Sequence, residues 1–73
     1  MSKTPAILAL YETEKVGPFA YNGSEVLRWV ALYARDDLGA TSSEFADAME
    51  TVGVKRGTAL NRWSDMVRNT RDE

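Results

Sequence analysis

Apolar residues recur at helical spacing along most of this chain, and four helices account for them. The sharpest pattern is near the C-terminal end. There Ala59, Leu60, Trp63, Met66 and Val67 fall at i, i+1, i+4, i+7 and i+8, one apolar face of a helix that begins at Lys55 or Arg56. Thr58, Asn61, Asp65 and Arg68 occupy the other side, flanked by Arg62 and Ser64. Upstream, Val26, Leu27, Val30, Ala31, Tyr33, Ala34 and Leu38 keep the same period, and Trp29 widens the stripe. So broad a stripe predicts a central helix contacted on two sides, capped by Ser24 and ending at Leu38 before Gly39. Between these two, Thr41-Ser42-Ser43-Glu44 matches the capping box. It predicts a third helix running to about Glu50, with Phe45, Ala46 and Met49 inward and Thr51-Val52-Gly53 as the turn that follows. At the start, Thr4 reads as an N-cap with Pro5 at the first helical position. A helix over 5–15 is expected, stopped by Gly17-Pro18, with a strand over 6–11 as the competing reading. Residues 16–23 read as loop, with Pro18 and Asn22-Gly23 as turn formers, and Phe19 and Tyr21 are expected to fold back onto the core.

Length and composition narrow the function classes. Seventy-three residues make one domain, 1–73, with a core expected to supply only about 3–5 kcal/mol of net stability. The chain has no Cys and no His, so it lacks thiolate chemistry, disulfides, the commonest general base and the commonest zinc ligand. No apolar run approaches the roughly 20 residues of a membrane helix, and the start does not read as a secretory signal. A cytoplasmic protein is expected, with no cofactor, no metal and no membrane partner. Asp36-Asp37 and Glu12/Glu14 are carboxylate groupings that could suggest a metal or acid/base pair. The first pair is adjacent on a helix end, so its side chains diverge, and no other ligand type clusters with either grouping; both are read as acidic surface. Carboxylates in the last turn of helix 2 oppose the helix dipole, which implies a cation such as Arg28 or Arg35 beside them. Without a histidine, a cysteine or a Gly-rich phosphate-cradling loop, the chain does not read as an enzyme.

Charge changes the picture more than its total of −2 suggests. Residues 1–52 carry four Lys/Arg against eight Asp/Glu, a balance of −4; residues 53–73 carry five against three, a balance of +2. The cations Lys55, Arg56, Arg62, Arg68 and Arg71 therefore gather around the last helix, where a local basic face can meet phosphate on an otherwise acidic protein.

The third helix, turn and fourth helix resemble a helix-turn-helix of the winged-helix, or MarR-like, kind. The family pattern T-x-x-x-L-A-x-x-L is met by Thr41, Phe45, Ala46 and Met49. The turn and second half, G-V-S then R-S-T-V-S-R-x-L-x-x-L, are met by Gly53, Val54, Arg56, Thr58, Ala59, Arg62, Trp63 and Met66. The resemblance covers residues 41–66. Ala46 is small enough for close helix approach, Gly53 suits a positive-φ turn and Val54 fills the corner. From Ala46 to Gly53 there are seven positions where the family usually has four, so either the turn is longer or helix 3 has an extra turn. The family's two-stranded wing is not expected after helix 4.

The resemblance implies an all-α four-helix bundle that binds double-stranded DNA through Lys55, Arg56, Thr58, Asn61, Arg62 and Arg68, with helix 55–68 in the major groove. Asn61 is placed for an adenine edge and Arg62 for a guanine. Trp29 and Trp63 read as core rather than as base-stacking platforms. A transcription or recombination regulator of the small phage or plasmid type is the implied role. Two copies on two half-sites are expected. Ile7, Leu8, Leu10 and Tyr11, apolar on nearly all sides of helix 1, are the expected homodimer interface, or else a lid on the core. The rival reading is a protein-interaction module, such as a phage-encoded inhibitor that binds a host protein through its acidic face. Carboxylates breaking up the basic face would favour that rival.

Overall fold

The computed structural model describes residues 3–17 and 22–71. Within them the chain forms four helices and no strand: α1 (Thr4–Glu14), α2 (Gly23–Leu38), α3 (Ser42–Thr51) and α4 (Arg56–Arg71). Helix, not strand, is therefore the outcome over 6–11. Pro18, Phe19 and Tyr21 lie outside the described residues, so their expected loop and packing do too. None of the described helices is long and apolar enough to cross a membrane.

Local chemistry sets the boundaries. Two of the expected caps move. The backbone of Lys3 accepts from Ile7 N–H at 3.0 Å, so α1 begins one residue early, with Thr4 inside the first turn and no side-chain cap. At α2 the cap is Asn22, not Ser24. Its Oδ1 accepts from the backbone N–H of Ser24 at 3.1 Å and of Glu25 at 3.3 Å, which satisfies two of the helix's free donors. Ser24 sits one turn position too late to do this. Gly39 ends α2 in the left-handed region at φ 65°, and its N–H returns to Arg35 O at 3.1 Å.

The capping box at α3 is present in both directions. Glu44 N–H donates to Thr41 Oγ1 at 3.2 Å, and Thr41 N–H donates to Glu44 Oε1 at 2.9 Å. Lys3 Nζ reaches Glu44 Oε2 at 3.5 Å and so fastens the start of α1 to the same cap. Glu44's carboxyl is held below the usual carboxylate range, chiefly by the Thr41 N–H, with the charge of Lys3 adding to it against some desolvation. A depressed carboxylate stabilises the fold above its unfolded pKa, and that contribution is lost as the pH falls through the folded one. Thr41→Ala is expected to destabilise by about 0.5–2 kcal/mol, read as a lower melting point. Glu44→Gln keeps an acceptor but not the charge. Its deficit against wild type should be present at neutral pH and close as the pH falls through the carboxylate range; a gap that stays constant would remove the charge from the explanation.

The far end of α3 settles the spacing question raised by the sequence. The helix continues to Thr51, so the extra positions lengthen α3 and leave a four-residue connection, 52–55. Val54 N–H donates to Met49 O at 3.0 Å and Gly53 N–H to Glu50 O at 3.1 Å, the paired bonds of a Schellman ending. Gly53 has φ 90°, a conformation a side chain would strain.

Each of α1 and α4 packs against both α2 and α3. Helix α2 is contacted on two sides as its stripe predicts, but α3 shares that role. Among the described residues the core is Ile7, Val26, Leu27, Val30, Ala31, Ala34, Ala40, Phe45, Ala46, Ala48, Met49, Ala59 and Met66. Six of these thirteen are Ala, so the helices approach closely and the few large side chains supply most of the buried apolar area. Trp63 is half-buried, with its ring centroid 5.6 Å from that of Phe45. Trp29, also half-buried, stacks on Tyr33 at 5.9 Å.

Candidate nucleic-acid interface

The capped start of α3, its Schellman ending and the half-buried Val54 fix how α4 leaves the turn. Ala59 and Met66 anchor the inner side of α4, with Leu60, Trp63 and Val67 packed against the core beside them. At about 100° per residue, Thr58, Asn61, Arg62, Asp65 and Arg68 then fall within an arc of about 120° on the outer side. Thr58, Asn61 and Arg68 are exposed and Arg62 and Asp65 half-buried. Lys55 is exposed at the base of this arc, just before the helix. No acidic residue lies in the first turn of α4, so the positive end of the helix dipole adds to the charge there.

Arg56 does not stand with the others. It lies about 120–180° around the helix from them and turns back to α3. Its Nη1 donates to Asp47 Oδ1 at 2.5 Å and to Glu50 Oε1 at 2.8 Å, and the two carboxylates, Glu50 first, hold the guanidinium still more firmly protonated. Arg56 is thus a bridge between α3 and α4, a correction to its expected place on the front of the helix.

The two arginines inside the arc also have a partner. Asp65 takes Arg62 Nη1 on Oδ2 at 3.2 Å and Arg68 Nη2 on its other oxygen. Arg62 Nε is buried and has no hydrogen-bond partner. Three of the candidate cations therefore meet carboxylates, one across helices and two along α4. Lys55 is in no ion pair among the described residues. The same holding pattern explains the acidic end of α2: Arg35 Nε donates to Asp36 Oδ1 at 2.8 Å, while Arg28 pairs with Glu25.

The expected dimer residues divide. Ile7 is fully buried within the single chain and is not available to a partner in the folded state. Leu8, Leu10 and Tyr11 are half-buried against the core. Compared with known protein families, with characterised proteins and with solved structures, the chain matches none.

Proposed function

We propose that this protein binds double-stranded DNA through α4, as a small helix-turn-helix regulator of transcription or recombination of the phage or plasmid type. The observation that carries the reading is the arc of Thr58, Asn61, Arg62 and Arg68 with Lys55 at its base, mounted on a short capped turn from α3. Polar side chains of these types can reach base edges and phosphates from one helix face. The ion pairs do not forbid it, because exposed pairs are weak and an arginine exchanges one oxyanion for another at small cost. Binding should be salt-dependent despite the acidic balance of the whole chain, because each phosphate contact contributes about one unit of slope through counterion release. Specific recognition calls for two copies. With Ile7 in the core, the second copy would meet a surface other than the inner side of α1.

The interleaved carboxylates favour a second reading, a module that binds a host protein. Asp65 offsets Arg62 and Arg68 within the arc, and Asp47 and Glu50 take up Arg56 outside it, which suits a mixed-charge protein contact better than a polyanion.

Mobility shift on duplex DNA across a salt series separates the two. Lys55→Ala and Arg68→Ala should weaken binding to all sequences alike and reduce the slope of log affinity against log salt by about one unit per contact. Asn61→Ala and Arg62→Ala should cost about 1–3 kcal/mol of discrimination between sequences. Failure of the folded wild type to bind at low salt would leave the protein-partner reading.

A further inference from the structure

Asp65 is the one carboxylate of residues 55–69, and it lies at the middle of the polar arc of α4, one turn from Arg62 on one side and Arg68 on the other. Its two oxygens are divided between them, Oδ2 to Arg62 at 3.2 Å and Oδ1 to Arg68. The side chain is only 23% exposed, against 72% for Arg68, so the carboxylate is the more buried member of the pair and Arg68 the one most open to solvent. Arg62, 29% exposed with its Nε buried and unpartnered, already lacks one hydrogen bond and leans on Asp65 for the charge that offsets its burial. We infer that Asp65 limits the affinity of this face by holding both of its arginines on a single carboxylate.

The inference rests on the nucleic-acid reading above. On DNA the arginines would have to leave Asp65, or keep it beside the phosphates, where like charges repel. Either way the carboxylate subtracts from binding. Salt weakens the internal pairs as well as the phosphate contacts, so the restraint should fade as salt rises.

Asp65→Asn and Asp65→Ala test this on the full chain, with folding checked by circular dichroism and duplex DNA of random sequence as the probe. Both variants are expected to bind about three- to tenfold more tightly than wild type at low salt. Their plots of log affinity against log salt should be steeper by about one unit, the signature of one more phosphate engaged. Folded variants that bind no better than wild type, or less well, would overturn the restraint and make Asp65 an orienting residue, while the nucleic-acid reading stands. No binding by wild type or either variant at low salt would overturn both. Binding by a variant but not by wild type would overturn the nucleic-acid reading and the restraint with it, since wild type would have no affinity for Asp65 to limit.

Discussion

Phe45→Ala should leave this domain largely unfolded at room temperature. Phe45 is fully buried and is the largest of the fully buried side chains among the described residues. Truncating such a ring costs about 3–5 kcal/mol, through lost transfer energy and the cavity left behind. That equals the whole net stability expected of a core this small, about 3–5 kcal/mol. The alanine-rich surroundings sharpen the effect. Ala46, Ala48 and Ala59 are already at minimal size and cannot extend into the vacated space. Trp63→Ala should cost less, despite the larger ring, because Trp63 is half-buried and part of its surface is already in water. Circular dichroism with thermal melting reads both. A cooperative melt for Phe45→Ala near the wild-type temperature would mean that the core is not organised around α3, and a larger loss for Trp63→Ala than for Phe45→Ala would invert the packing described.

The elements that obey local rules were legible in the sequence. Thr41 and Glu44 announce α3 because a capping box needs only four consecutive residues. Gly39 and Gly53 mark helix ends because only a left-handed residue continues the chain there. The period of α4 likewise sorts Ala59 and Met66 from Asn61 and Arg68 without reference to the rest of the fold. Asn22 against Ser24 was not decidable by that route, since both side chains can cap and the choice depends on where the chain enters the helix. Ala40 and Ala48 were missed because a small residue carries little hydrophobic signal, yet both are buried. The charged site was only half legible. Asp65 lies three residues from Arg62 and three from Arg68, a spacing that already brings such side chains together on a helix. The bridge from Arg56 to Asp47 and Glu50 crosses from one helix to the next. Composition counts such charges but cannot say which of them meet.

Helix α1 posed the hardest question, because Ile7, Leu8, Leu10 and Tyr11 leave it without a single apolar face. Removing residues 1–16 separates its two readings. If α1 served mainly to join two copies, the remaining chain should be a soluble monomer that still melts cooperatively. The packing points to the opposite result. Ile7 is 0% exposed, and α1 covers both α2 and α3. Ile→Ala alone at a buried site costs about 2–5 kcal/mol, and the truncation also removes the contacts of Leu8, Leu10 and Tyr11 with the core. The Lys3 contact to Glu44 at the cap of α3 goes with them. The sum exceeds the expected stability of the whole domain, so the truncated chain should lose its cooperative melt and expose apolar surface that binds a hydrophobic dye. Sedimentation on the same sample closes the argument: a compact, cooperatively melting monomer would return α1 to the role of an interface, whereas an expanded or aggregating chain makes it the fourth wall of the core.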